Sequence, residues 1–255
     1  MLLDSFRNRA FRNRDAPFEL AALDIEVSML ARLPGIARKP AGSVLRWCGR
    51  HLDNILRPDM TAILLNRPLS EISMLHIDSR LALYDCASKC RGAIVEIGPF
   101  VGGGTIAMAW AMKRSGNTSP ILAIEVGGAH DNPQMPTDDI VRDLKANLAR
   151  YGVADRVTVI EGWSNEVADQ VERHLAGHQI DLLMIDADGD VTRDIFIYRR
   201  FLREGATIVV DDYGANEPNV KSPFVRAAVQ KMVSDGLVRK TRILPWGTWF
   251  GIYRG

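Results

Sequence analysis

The sequence is short of cysteine, of long apolar runs and of net charge. Its 255 residues include 3 cysteines, and 32 lysines plus arginines stand against 31 aspartates plus glutamates, for a formal net charge of +1. No run of about 18 apolar residues occurs, which argues against a membrane-spanning helix. A near-neutral chain has no broad electrostatic field for a polyanion, so we expect neither a nucleic-acid partner nor a membrane partner.

The cysteines Cys48, Cys86 and Cys90 form an odd set with no further cysteine or histidine cluster beside them. Two thiols four positions apart make a poor zinc site, and small buried thiols are the expected interpretation. The first residues also lack the apolar segment of a secretion signal. These absences together predict a reducing compartment, and we expect a cytoplasmic protein.

What is present is a globular composition, with 47% hydrophobic and 25% charged residues. The pattern changes near residue 76. Residues 1–75 contain no strong strand pattern, and their short helical stretches are interrupted by prolines. We therefore predict two parts: an N-terminal helical extension over residues 1–75, serving as a lid or a dimer surface, and a larger domain over residues 76–255.

The larger domain alternates apolar runs with helical segments. A helix is predicted over Ser79–Cys90. The predicted strands are Ala93–Ile97, Ile121–Ile124, Val157–Ile160, Leu182–Ile185 and Thr207–Val210. The predicted helices between and after them are Thr105–Lys113, Asp138–Tyr151, Asn165–Leu175, Thr192–Leu202 and Val225–Met232. Continuous apolar strands separated by helices predict an α/β fold with a doubly wound, parallel, Rossmann-like sheet.

The C-terminal end departs from this alternation. Leu237–Leu244 and Trp249–Tyr253 flank the turn sequence Pro245-Trp246-Gly247. Strands joined by so short a connection must run antiparallel. The sequence thus predicts a parallel sheet that ends in an antiparallel hairpin, whose tryptophans pack within the hairpin.

A glycine-rich loop follows the first predicted strand, in the order Val95-Glu96-Ile97-Gly98-Pro99-Phe100-Val101-Gly102-Gly103-Gly104-Thr105. Glycines at such a strand-to-helix turn let the backbone approach a ligand. The spacing matches neither the dinucleotide fingerprint nor the phosphate-binding loop with its lysine. An acid two residues before the first glycine would repel a pyrophosphate. It suits S-adenosylmethionine, which carries an ammonium and a sulfonium and no phosphate.

The second predicted strand is followed directly by Glu125, 21 positions after Gly104. A carboxylate about 20 residues after the glycine loop is placed to bind ribose hydroxyls. The order Glu-x-Gly-x-x-x-Gly-x-Gly-Thr followed by this acid resembles the class I S-adenosylmethionine-dependent methyltransferases. The resemblance covers residues 76 to 255 and implies a seven-stranded sheet with the last strand antiparallel.

The resemblance also implies a set of cofactor contacts. Glu96, Gly98, Gly102, Gly104 and Thr105 would line the methionine side, and Glu125 would hold the ribose. The turn Glu161-Gly162-Trp163-Ser164 matches the place where the family contacts adenine. Trp163 would either stack on the base or be an ordinary aromatic at the edge of the sheet.

Carboxylates follow the fourth and fifth predicted strands. Asp186 ends the fourth strand, and Asp211 and Asp212 end the fifth. Ligands of open α/β sheets bind beyond the carboxyl ends of the strands, so these three side chains are expected to converge. Three converging carboxylates repel one another unless they are protonated or neutralised, and Mg²⁺ or another divalent cation is a natural partner for their oxygens. Arg193 and Arg226 are alternative partners.

This pattern is similar to the metal-dependent O-methyltransferases, of the catechol and macrocin sugar types. The resemblance implies Asp186, Asp211 and Asp212 as metal ligands, with Asp186 also contacting the cofactor. Two departures stand out: the catechol enzymes have a lysine shortly after the strand-four aspartate and this chain has none, and Gly189 replaces a histidine that related families have.

The general base is therefore left open. Asp188 and Asp186 are the candidate catalytic carboxylates, with Asp190 and His130 behind them. A helix cap or a turn is the alternative role for Asp188 and the favoured one for Asp190.

The predicted function is cation-dependent O-methylation of a hydroxylated small molecule, a sugar moiety or a phenolic compound, by a homodimer. Two alternatives stay open: metal-independent methylation of N, S or C atoms, and a cofactor-binding but inactive partner subunit.

Overall fold

The computed structural model describes residues 71–131, 133–214 and 220–255. The predicted helical extension, residues 1–75, lies outside the described residues except for its last five, so it stays a prediction. Within the described residues, no helix combines the length and the apolar character that crossing a membrane would need.

Seven strands form one sheet. They are β1 Ala93–Ile97, β2 Ile121–Glu125, β3 Val157–Glu161, β4 Ile180–Ile185, β5 Leu202–Val210, β6 Val238–Ile243 and β7 Trp249–Tyr253. Their order across the sheet is β3-β2-β1-β4-β5-β7-β6. The first five strands are parallel, and β7 runs antiparallel to both of its neighbours, β5 and β6. The predicted sheet, with its terminal antiparallel hairpin, is confirmed.

Six α-helices of the described residues cover the two faces of the sheet. They are α1 Ile77–Ala87, α2 Gly103–Ser115, α3 Ile140–Arg150, α4 Ala168–Leu175, α5 Val191–Tyr198 and α6 Ser222–Ser234. One core contains buried side chains of α1, α2 and α3, and the other contains those of α4, α5 and α6. Strands β1, β2 and β4 are buried throughout, which explains why they are mostly apolar.

Alternate residues of each central strand point into opposite cores. Val95 and Leu183 belong to the core beneath α4–α6, whereas Ile94 and Leu182 belong to the core beneath α1–α3. This alternation follows from the period of two along a strand. It produces a three-layer α/β/α sandwich.

The prediction of a helix over Thr192–Leu202 is wrong at its C-terminal end. The α-helix stops at Tyr198, a 3₁₀ turn covers Arg199–Phe201, and Leu202 begins β5. Leu202 is paired with Ile180 at the start of β4, so strand pairing takes this residue from the helix. The exposed residues that follow Leu202 interrupt the apolar pattern. The sequence therefore did not predict the first half of β5 as a strand.

Candidate active site

The carboxyl ends of β1, β2, β4 and β5 border one cleft of about 440 Å³. The chain reverses its direction of winding between β1 and β4, and a crevice at such a switch point is where doubly wound sheets bind ligands. Backbone hydrogen bonds continue beyond the strands and align the loops: Asp186 donates to Ile97 and Asp211 donates to Ile185, at 2.9 and 3.0 Å. The predicted site residues that line the cleft are Gly98, Glu125, Trp163, Ser164, Asp186, Asp188, Asp211 and Asp212.

The glycine loop is shaped by two close approaches. Gly98 has φ +80°, and a β-carbon there would collide with the carbonyl oxygen of Asp186. A β-carbon on Gly104 would lie 2.5 Å from Oε1 of Glu96. A side chain at Gly98 would clash with the backbone after β4, whereas one at Gly104 would require the Glu96 carboxylate to shift.

Four predicted cofactor contacts lie behind the cleft lining instead of in it: Glu96, Gly102, Gly104 and Thr105 are buried residues outside the lining. Thr105 donates a hydrogen bond from its hydroxyl to Glu96. Burial raises the pKa of the Glu96 carboxyl to about 7, and the hydrogen bond from Thr105 opposes part of that rise. Glu96 and Thr105 therefore support the glycine loop from beneath.

Glu125 ends β2 with its side chain largely buried against the loop. Its carboxylate accepts hydrogen bonds from the backbone N–H groups of Phe100 and Gly127, at 3.0 and 3.2 Å. Burial raises the pKa of Glu125, and these backbone bonds counteract the rise. A carboxylate held in this way keeps lone pairs for further donors in the cleft, such as ribose hydroxyls.

The turn after β3 places Trp163 and Ser164 in the lining of the cleft. The side chain of Trp163 is 48% exposed, so its ring is open to a ligand. Ser164 is buried and donates a hydrogen bond of 2.6 Å to Asp194, while its carbonyl accepts one of 2.8 Å from Tyr198. Helix α5 thereby fixes the turn on which the exposed indole stands.

The three strand-end carboxylates meet at the far side of the cleft. Burial raises the pKa of Asp186 well above its ordinary value, and the charges of Asp211 and Asp212 raise it further. Burial also raises the pKa of Asp211 to about 6, against the hydrogen bond of 2.5 Å that it accepts from Thr248. The predicted convergence of these side chains on one edge of the sheet is what the structure has.

A lysine that sequence reasoning missed lies among them. Lys221, the residue just before α6, donates a hydrogen bond of 2.6 Å to the carbonyl of Ala187 and lies 3.2 Å from Oδ2 of Asp212. Its partners are 34 and 9 positions away in sequence, and no motif marks it. Of the two arginines offered as partners, Arg226 donates instead to the carbonyls of Tyr213 and Gly214.

The other arginine, Arg193, holds Asp188. Its two terminal nitrogens lie 2.9 and 3.1 Å from the two carboxylate oxygens of Asp188. Burial raises the pKa of Asp188, but the hydrogen bonds and the charge of Arg193 outweigh it and the net shift is downward. Asp190 caps α5 by accepting from the N–H of Arg193, so its interpretation as a helix cap is confirmed.

His130 is the one predicted histidine candidate, and it lines the cleft. Its ring lies edge-on to Phe100, with 4.9 Å between ring centroids. Among the hairpin tryptophans, Trp249 is fully buried in the core as predicted, whereas Trp246 is half-exposed and stacks on His76.

Comparison with known sequences agrees with this geometry. A family model described as a methyltransferase domain matches residues 95–213. A catechol O-methyltransferase of Mycobacterium tuberculosis is 28% identical over 160 residues, which cover 61% of this chain and 64% of that protein. The chain spans less than two thirds of the length of the curated relatives it matches.

Solved structures show the same fold. The cofactor-bound protein Rv0187 from MTB superposes with a TM-score of 0.58 at 24% identity, covering 81% of this chain and 96% of that one. TomG, an O-methyltransferase from Streptomyces achromogenes in complex with SAM, superposes with a TM-score of 0.55 at 19% identity, covering 78% and 89%.

The domain match, the sheet order and the glycine loop at the switch point all agree with the resemblance stated from the sequence. The domain match therefore supports the predicted methyltransferase fold over residues 95–213. Residues 95–213 are thus similar to a methyltransferase domain, and the sheet around them has the fold of the solved structures compared above.

Proposed function

We propose that the protein transfers the methyl group of S-adenosylmethionine to a hydroxyl oxygen of a small molecule. One observation carries the proposal: the ribose-binding candidate Glu125 and the carboxylates Asp186, Asp211 and Asp212 line the same cleft. The cofactor side and the acidic side therefore share one space of the size that small-molecule sites have. The catechol and TomG relatives, named as O-methyltransferases, support the choice of oxygen as the acceptor.

The reaction requires little covalent chemistry from the protein itself. The acceptor hydroxyl loses its proton, its oxygen attacks the methyl carbon, and the bond from carbon to sulfur breaks, which leaves S-adenosylhomocysteine. Holding the oxygen, the methyl carbon and the sulfur in line supplies most of the rate. Asp186 and Asp188 are the two carboxylates that the sequence predicts as acceptors of this proton, and the ion pair of Asp188 with Arg193 favours Asp186.

An acidic cleft also restricts the acceptor. Three carboxylates facing one space repel a phosphate backbone, and the chain as a whole carries a formal charge of only +1. A neutral hydroxylated molecule, such as a sugar moiety or a phenol, meets no such repulsion. The small-molecule acceptor therefore remains our proposal, as does the homodimer.

The divalent cation predicted by the resemblance requires Asp186, Asp211 and Asp212 to turn their oxygens toward one point. Their present contacts do not fit that requirement: Asp212 pairs with Lys221, and Asp211 accepts from Thr248. No group of three or more histidine, cysteine, aspartate or glutamate side chains within the described residues is arranged to hold a metal ion. Metal dependence stays a prediction, and no step of the proposed reaction runs through a metal.

The experiment combines binding with transfer. Calorimetry of the full chain with S-adenosylmethionine comes first, with Glu125→Ala as the variant that should weaken binding at least about tenfold through loss of the ribose contacts. Transfer of a labelled methyl group is then measured to catechol, to a methyl glycoside, and to amine and thiol controls. Methylation of the hydroxylated compounds alone supports the proposal, whereas transfer only to the amine or thiol contradicts it. Cofactor binding without transfer to any acceptor would favour a non-catalytic role.

A further inference from the structure

The ammonium group of Lys221 bridges the ends of two neighbouring strands in the cleft. It is 2.6 Å from the carbonyl oxygen of Ala187, after β4, and 3.2 Å from Oδ2 of Asp212, after β5. Its side chain is 39% exposed and lines the cleft. A positive charge thus stands at the acidic edge of the site, supplied by the chain itself.

Helix stability does not account for this position. Lys221 is at the N-cap of α6, where serine, threonine, aspartate or asparagine would satisfy the free N–H groups. The N-terminal end of a helix also carries a partial positive charge, which disfavours a cation. The contacts with Ala187 and Asp212 are therefore what favours the ammonium at this place.

Gly189 lies beside the stem of Lys221. A β-carbon built on Gly189 would lie 3.4 Å from Cβ of Lys221, at ordinary van der Waals distance. The position to which the resemblance gives a histidine is therefore packed against the lysine in this chain.

The conformation of Asp212 belongs to the same arrangement. Its φ is +58°, a left-handed conformation that costs about 1 kcal/mol or more for a residue with a side chain, although aspartate tolerates it better than most. In this conformation its carboxylate faces Lys221, with 20% of the side chain exposed. The left-handed backbone of Asp212 and its ion pair with Lys221 thus occur together at the end of β5.

We propose that Lys221 is the resident cation of the acceptor site. Its ammonium neutralises the carboxylates at the ends of β4 and β5 and binds the oxygen of the acceptor as negative charge develops on it, the role that the resemblance gives to a divalent ion. The inference rests on the proposed function and narrows it to an enzyme whose acceptor site works without a divalent cation.

The test is direct metal binding, which needs no knowledge of the acceptor. Full-length protein, stripped with a chelator and saturated with S-adenosylhomocysteine, is titrated with Mn²⁺ and followed by electron paramagnetic resonance. Wild type is compared with Lys221→Met and Lys221→Gln, which remove the charge, and with Lys221→Arg, which keeps it. Two neutral variants are used so that one remains if the other does not fold, and affinity for S-adenosylhomocysteine reports folding.

We expect the neutral variants to bind Mn²⁺ at least about tenfold more tightly than wild type, because the three carboxylates then lack their cation. Lys221→Arg should behave like wild type. Equal Mn²⁺ affinity in wild type and the neutral variants, whether tight or undetectable, would overturn the inference.

Different results would contradict the proposed function. Absence of S-adenosylhomocysteine binding, or of methyl transfer to every hydroxylated acceptor, would contradict the function itself. If transfer occurs but stops on addition of a chelator and returns with Mg²⁺, the function stands and the role of Lys221 falls.

Discussion

Arg193 donates hydrogen bonds to both carboxylate oxygens of Asp188, at 2.9 and 3.1 Å, in the bidentate geometry typical of a guanidinium and a carboxylate. The same arginine lies 3.1 Å from the buried carboxylate of Asp194. Asp188 is therefore held at the rim of the cleft by an ion pair anchored in α5. Its lowered pKa makes it a weak proton acceptor near neutral pH.

Replacement of Asp188 by asparagine separates the two roles of this residue. We expect Asp188→Asn to retain kcat within about tenfold of wild type and to lower stability by no more than about 1 kcal/mol, since the pair is partly exposed. Steady-state kinetics with an acceptor found in the screen, together with urea unfolding, measure both. A loss of kcat of about 10² to 10⁴, with folding unchanged, would instead assign the general base to Asp188.

The close approach of Gly104 to Glu96 predicts a clash that a second substitution relieves. Gly104→Ala places a β-carbon 2.5 Å from Glu96 Oε1, and we expect a loss of about 1 to 3 kcal/mol in the free energy of unfolding. In a Glu96→Ala background the same change should cost clearly less, because the remaining tight contact is the tip of Leu75, 3.1 Å away, and alanine is the better helix former by about 1 kcal/mol. Denaturant unfolding of the four proteins measures this coupling, and additive effects would contradict the steric explanation.

The buried carboxyl of Glu96 makes stability depend on pH. Its pKa is about 7 in the folded chain against an ordinary value of 4.5, because burial disfavours the charged form. Between pH 4.5 and 7 the unfolded chain has released this proton and the folded chain has kept it, so stability falls as pH rises through that window. Above pH 7 the full penalty applies, on the order of 3 kcal/mol for this shift.

Glu96→Gln removes the titrating group and retains an acceptor for Thr105. We expect it to stabilise the protein above pH 7 and to flatten the decline between pH 4.5 and 7, as measured by urea unfolding at a series of pH values. Glu204→Gln, at an exposed position of β5, is the matched control and should leave the profile unchanged. A Glu96→Gln profile that superposes on that of wild type would show that Glu96 ionises normally.

The parts of the fold that the sequence could predict are those with a local signal. The buried strands β1, β2 and β4 are mostly apolar runs, and the turn Pro245-Trp246-Gly247 marks the hairpin. The first half of β5 gives no such signal, because its exposed residues interrupt the apolar pattern.

The same distinction applies to the site. Strand ends collect at one edge of a parallel sheet whatever their loops do, so the convergence of Asp186, Asp211 and Asp212 followed from the strand order. Lys221 and Thr248 reach these carboxylates only through the packing of α6 and the hairpin. Contacts that depend on how one element packs on another have no characteristic spacing in the sequence, so the sequence did not predict them.

The exposed indole of Trp163 offers the sharpest test of the cofactor wall, because the chain contains a matched control. If the ring stacks on the adenine, Trp163→Ala should weaken S-adenosylmethionine binding about tenfold while stability stays within about 0.5 kcal/mol, since its ring is already 48% exposed. Trp246 is 51% exposed but stacks on His76 in the hairpin region, and it does not line the cleft. Trp246→Ala should therefore leave cofactor affinity unchanged. Calorimetry measures the S-adenosylmethionine affinity of both variants. If the two variants bind the cofactor equally well, Trp163 is an ordinary edge aromatic, and the adenine contact lies elsewhere on the turn after β3.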